Sequence, residues 1–168
     1  KLLLIDGECA FAGGAGLTDE VEPPHAPHLL WRETKIEIRG PVLADWQRLF
    51  TESWNRYAEQ PMALPADTPA TIRACGKGRV TVNEARRRMG IQRSLLKQIM
   101  RAEHRIWFAT AYFIPSWTLR RRLKQAAKRG VDVRLLLPGP ITDHPGARYA
   151  SHRYYARLLN SGLRIFEY

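Results

Sequence analysis

Four residues near the start of the chain, Lys1, Asp6, Gly13 and Gly14, have types and spacings that suit the handling of an anion. Lys1 and Asp6 bracket the apolar run Leu2–Ile5, and Asp6-Gly7 is a strong signal for a two-residue hairpin turn, because type I′ geometry needs positive φ at both positions. Residues 8–12 read as the returning strand. The paired glycines that follow let the backbone approach a ligand closely and can turn adjacent amides toward a negative charge. A lysine at the open end of such a hairpin is a point-charge ligand for phosphate. An ordinary hairpin with a solvated lysine has the same short pattern.

The bulk composition favours the same kind of partner. The 168 residues carry 27 Lys+Arg against 16 Asp+Glu, a net charge of +11, which draws the chain to nucleic acid or to an anionic lipid surface without choosing between them. A hydrophobic content of 45% excludes a disordered chain and supports one domain-sized core. Cys9 and Cys75 form neither a disulfide framework nor a metal-site pattern, and Cys9 reads as a small core residue. No apolar run reaches the length of a membrane span.

Three blocks position these residues: 1–60, a connector at 61–90, and 91–168. In the first, the hairpin is followed by a Pro/His-rich loop at 21–28, an alternating strand at 35–38, and a helix opened by Gly40-Pro41. Val42, Trp46, Leu49, Phe50, Ser53 and Tyr57 recur at helical spacing as its expected buried stripe. The connector is punctuated by Pro61, Pro65 and Pro69, has a short strand at 71–75, and carries the basic run Arg86-Arg87-Arg88, read as a solvated face. The third block alternates helix and strand. Its strands fall at 106–113, 131–137 and 163–166. Ser116 caps a helix ended by Gly130, Asp143-His144-Pro145 opens another, and Gly162 closes it.

Such alternation predicts an α/β fold with a mixed, largely parallel sheet flanked by helices on both faces. Ligands of such sheets bind beyond the carboxyl ends of the strands, which singles out Tyr112, in the segment 112–115, and His144, in the segment 138–144. Aromatic residues closing a core, and a loop histidine beside proline, are the plainer readings of these two. The helix after Ser116 is basic on its outer face, which suits an anionic bilayer or simply water.

The residues from Lys1 to Asp6, continued by Gly13-Gly14, resemble the back half of the His-x-Lys-x4-Asp signature of the phospholipase D superfamily. Further along, Ala109-Thr-Ala-Tyr-Phe-Ile-Pro115, Arg129-Gly-Val-Asp-Val-Arg-Leu-Leu-Leu-Pro138, Thr142-Asp-His-Pro145, Tyr154-Tyr-Ala-Arg-Leu-Leu159 and Ile165-Phe-Glu-Tyr168 resemble its bacterial cardiolipin synthase branch, as does Trp31-Arg-Glu-Thr-Lys-Ile-Glu-Ile-Arg-Gly-Pro41. The resemblance implies two similar halves sharing one active site, with one histidine attacking phosphorus and another serving as acid and base, and no metal or other cofactor. It implies anionic phospholipids such as phosphatidylglycerol as partners, at the cytoplasmic face of a bacterial inner membrane, with nucleic acid the lesser candidate.

Carried over, Lys1 grips phosphate, Gly13 and Gly14 line the pocket floor, Asp6 pins the hairpin, and Glu33 orients a histidine. A surface acid at a strand start is the plain reading of Glu33. Position 16, where the family has asparagine, is Gly16, so an amide ligand is lost unless Thr18 or Asp19 replaces it. None of the five histidines stands two residues before a lysine; His25 and His28 lack a third partner for a metal. The sequence therefore reads as a fragment that starts inside the first motif and ends before the second, inert by itself. A superfamily nuclease, or a non-catalytic lipid- or nucleic-acid-binding relative, is the alternative.

Overall fold

Asp6 and Gly7 both take positive φ, 52° and 68°, as the sequence asks of them. The Glu8 amide donates to the Ile5 carbonyl at 3.0 Å and closes the turn. Yet Ile5 pairs with Cys9, so the connection has three residues and not the expected two, with Glu8 standing outside the ladder. This geometry comes from a computed structural model, which describes residues 1–14, 34–64, 78, 80, 81, 83, 84 and 88–168. The strand expected at 71–75, Arg86 and Arg87 lie outside the described residues.

The chain divides into two units, Lys1–Val80 and Thr81–Tyr168. In the first, β1 (Leu2–Ile5), β2 (Cys9–Gly13) and β3 (Lys35–Arg39) form an antiparallel sheet in that order. Cys9 and Ala10 are buried on it, as apolar residues small enough for close packing. Helix α1 (Leu43–Tyr57) enters through a tightened turn in which Leu43, Ala44 and Asp45 donate to the carbonyls of Gly40, Pro41 and Val42. Pro41 therefore precedes the helix proper. Its buried residues are Leu43 and Thr51, neither on the expected stripe; Val42, Trp46, Leu49 and Phe50 of that stripe are half-buried, Ser53 is exposed and Tyr57 is 83% exposed.

The second unit opens with a short hairpin, β4 (Asn83–Glu84) against β5 (Arg88–Met89), that periodicity does not reveal. Helix α2 (Gly90–Arg101) follows, then β6 (Arg105–Ala109), α3 (Trp117–Lys128), β7 (Asp132–Leu137), α4 (Pro145–Leu159) and β8 (Arg164–Glu167). The three strands form a parallel sheet in the order β6-β7-β8, so the unit is α/β as its alternation requires. Because parallel β-α-β crossovers are right-handed almost without exception, two of them stepping in one direction put α3 and α4 on the same face. Burial agrees: Leu123, Ala126 and Leu158 pack with Val133, Leu135 and Leu137 in one core that also takes in Ile99 of α2. Each large aliphatic side chain closed off there contributes roughly 1.5–3 kcal/mol.

Among the described residues the opposite face of this sheet is open. Trp107 is 61% exposed there, with Leu136 and Phe166 as register neighbours of each other. Strand β6 ends at Ala109 and not at 113, so Tyr112 and Phe113 lie beyond it; Phe113 is buried in the core, edge-on to Phe108 with centroids 6.5 Å apart. Asp132 answers the arginines on the open face, bonding both Arg134 and Arg164, and Arg164 holds its carboxyl below the usual range. No described helix is long and apolar enough to cross a membrane.

Candidate functional site

At the open end of the first hairpin, the Lys1 main-chain nitrogen donates to the Gly13 carbonyl at 3.0 Å, and the Gly13 amide returns the bond to the Lys1 carbonyl at 3.2 Å. These bonds hold Lys1 directly opposite Gly13. Both residues line a hollow of about 430 Å³ whose other walls are Trp46, Leu49, Phe50 and Ser53 of α1. The sequence thus assembles a cation at the rim of a mostly apolar hollow. Gly13 has a structural reason to lack a side chain: a Cβ there would stand 2.7 Å from the Thr34 carbonyl oxygen, at the start of β3. Gly14 follows immediately and is exposed.

Asp6 is not brought to this hollow. The ladder puts it at the closed end of the hairpin, about 17 Å from Lys1 at strand rise. Asp6 lies in the left-handed region, which aspartate tolerates better than most residues. Its position fits a turn residue and not a second ligand to one anion. Glu33 and Gly16, with Thr18, Asp19, His25 and His28, lie outside the described residues.

The second unit brings Tyr112 and His144 together. They follow the carboxyl ends of β6 and β7, adjacent parallel strands, and their ring centroids are 5.1 Å apart. The Tyr112 hydroxyl donates to Asp143 Oδ2 at 2.5 Å, and Thr142 Oγ1 donates to Asp143 Oδ1 at 3.3 Å. His144 Nε2 stands 3.8 Å from the same carboxylate. The Tyr112 hydrogen bond is the main reason the Asp143 carboxyl is held below the ordinary aspartate range. A carboxylate held by a phenol and beside an imidazole can fix the orientation of both rings. It can also poise the imidazole to meet a substrate hydroxyl or phosphate.

The sequence puts Asp143 in the ligand-facing segment 138–144 and at a helix opening, but gives it no role of its own. The helix instead begins at Pro145 with His144 as its N-cap and no side-chain cap bond. Nothing local announces the bond from Tyr112, 31 residues earlier; the signal is that both residues follow ends of neighbouring parallel strands. A second cluster escaped the sequence reading too. Glu167 receives Arg148 at 3.1 Å and Tyr155 at 3.1 Å, and lies 2.9 Å from His152 Nε2. Burial pushes the Glu167 carboxyl up, but these bonds, Arg148's first, outweigh it and hold it below its usual range. Beside it, the Tyr168 carbonyl accepts from the Gly139 amide at 2.8 Å, where a Cβ on Gly139 would meet that oxygen at 2.7 Å.

A three-stranded parallel sheet with its polar cluster at the strand ends is consistent with an α/β phospholipase D-like fold, and the comparison with known families points the same way. The family described as cardiolipin synthase, PLD-like domain, matches residues 95–168. Cardiolipin synthase A of Pseudomonas aeruginosa (strain LESB58) is 33% identical over 173 residues, covering 100% of this chain and 34% of its own length. The proteins of the same name from Pseudomonas syringae pv. syringae (strain B728a) and Pseudomonas fluorescens (strain SBW25) are each 34% identical over 100% of this chain and 35% of theirs. Residues 95–168 thus match the PLD-like domain of the cardiolipin synthase family, and the whole chain is similar to part of the cardiolipin synthases A. It spans about a third of the length of the curated relatives it matches. No solved structure matches it.

Proposed function

We propose that the protein carrying this chain transfers phosphatidyl groups between anionic phospholipids, phosphatidylglycerol first among them, through a phosphohistidine at the cytoplasmic face of a bacterial inner membrane. The observation that carries this reading is Lys1, held opposite Gly13 at the rim of a hollow walled by α1. In the proposed cycle an imidazole nitrogen attacks phosphorus, a P–N bond forms, and the P–O bond to the leaving alcohol breaks. A second imidazole, protonated, gives that alcohol its proton. The second imidazole then takes a proton from the hydroxyl of the acceptor lipid, whose oxygen attacks phosphorus and releases the first imidazole. Neither imidazole belongs to a residue within these 168, since none of the five histidines precedes a lysine by two.

In this cycle Lys1 stabilises negative charge on the non-bridging oxygens as it builds, a fixed cation in the place where charge develops. Gly13 and Gly14 keep the rim free of side chains and Glu33 orients an imidazole; in the second unit, Tyr112 and His144 serve as substrate-binding residues. Asp6 serves the same chemistry only by holding the hairpin closed. The relatives' printed name, cardiolipin synthase A, supports the lipid over the nucleic-acid substrate.

The test is made in the protein that joins this chain to both His-x-Lys pairs. Lys1→Met should lower phosphatidyl transfer by about 10²–10³-fold, the size of a lost charge-stabilising group, while Lys1→Arg keeps more of it. Full activity in Lys1→Met would overturn the assignment, as would turnover of phosphatidylglycerol by the 168 residues alone. Cleavage of single-stranded DNA in preference to lipid would transfer the reading to a nuclease.

A further inference from the structure

Helices α3 and α4 contain no aspartate or glutamate. Between them lies a cleft of about 310 Å³, lined by Trp117, Arg120, Arg121, Lys124, Tyr154 and Arg157, with buried Leu158 alongside. Four cations thus line one small space, and among the described residues none of the four has a carboxylate within ion-pair distance. Elsewhere in this unit arginines at close quarters are answered by acids: Arg134 and Arg164 by Asp132, Arg148 by Glu167. Uncompensated like charges repel, most strongly where apolar walls exclude water, and an anion between them removes that cost.

The arginines are also held in place. The Arg120 guanidinium lies 4.2 Å from the Tyr154 ring centroid, and Arg121 lies 5.2 Å from that of Trp117. Arg120 Nε is shut off from solvent and bonds nothing. A guanidinium fixed by its face to a ring keeps its edge N–H groups in a set plane, where they can fork onto the oxygens of a phosphate.

We propose that the cleft between α3 and α4 is a binding site for the phosphate of an organic phosphodiester. Arg120, Arg121, Lys124 and Arg157 hold the anionic oxygens, and Trp117 and Tyr154 lie against the ester's carbon skeleton. The site shares no residue with the Lys1 hollow or the Tyr112–Asp143–His144 cluster, and it does not rest on the phosphatidyl-transfer reading. The phosphate can come from a soluble diester or from a lipid headgroup.

The experiment uses the full chain with three probes: inorganic phosphate and glycerophosphoglycerol by calorimetry, and phosphatidylglycerol against phosphatidylcholine vesicles by co-sedimentation. The cleft variant is Arg121→Gln with Arg157→Gln, both at exposed positions; the control, Lys97→Gln with Arg101→Gln on exposed positions of α2, removes equal charge. Circular dichroism checks each fold, and Arg157→Gln alone replaces the double variant if that unfolds. The wild type should bind at least one phosphate-bearing probe. The cleft variant should bind it about tenfold more weakly or worse, while the control changes by less than about twofold. Binding of the soluble diester assigns the free source; binding confined to phosphatidylglycerol vesicles assigns the headgroup. Equal loss in both variants, no loss in the cleft variant, or no binding of any probe would overturn the site.

Discussion

At the scale of single residues, Tyr112 and Asp143 carry the most informative contact, a phenol donating to a carboxylate at 2.5 Å. A hydrogen bond to the charged form favours that form, which is why the Asp143 carboxyl is held low. A depressed carboxyl in the folded chain contributes stability that is complete above the ordinary aspartate range and lost as pH falls through the depressed value. Tyr112→Phe should therefore raise the Asp143 titration point toward the ordinary range and shrink that acid-side loss. Carboxyl-carbon NMR titration of wild type and variant reads both; an unmoved Asp143 would show that the phenol is not the cause. The sequence named Tyr112 and His144 from strand-end logic, and they do meet. It passed over Asp143 because a partner 31 residues away leaves no local pattern. Gly13 shows a subtler limit: its missing side chain was legible, but the Thr34 carbonyl it makes room for was not.

At the scale of elements, α3 is the helix the sequence describes best, with Leu123 and Ala126 buried and Leu119 and Ala127 packed beside them. Ser116 caps it as expected, its side-chain oxygen accepting from the Leu119 amide at 3.2 Å. Gly130 ends it with φ of 89°. Ser116→Ala leaves that amide without its cap and should cost about 1 kcal/mol, in the range ~0.5–2 kcal/mol for lost N-caps. Urea unfolding followed by helical circular dichroism measures this; an unchanged midpoint would mean that Ser116 does not stabilise the helix start. Helix α1 was read less well. Periodicity tells which face of a helix turns inward but not how far the core extends, and among the described residues no core lies beneath Tyr57, which is 83% exposed. The end of β6 was misplaced for a related reason: the apolar run continues past Ala109, while the ladder that defines the strand stops there.

At the scale of the whole molecule, the net charge of +11 is unevenly placed. The open face of the second sheet mixes Asp132 with Arg134 and Arg164, whereas α3 and α4 are free of acids. Long-range attraction to an anionic surface comes from the surplus as a whole and is screened by salt, with a Debye length of about 10 Å at 0.1 M and about 3 Å at 1 M. Contacts made inside a partly enclosed cleft are screened much less. Binding of the full chain to phosphatidylglycerol vesicles should accordingly fall steeply between 0.1 M and 1 M salt. A smaller component should persist in the wild type and vanish in Arg121→Gln with Arg157→Gln. Co-sedimentation across a salt series separates the two. A salt-independent interaction of equal strength in both proteins would mean that apolar side chains such as Trp117 and Ile114, each more than 60% exposed, hold the surface instead of charge.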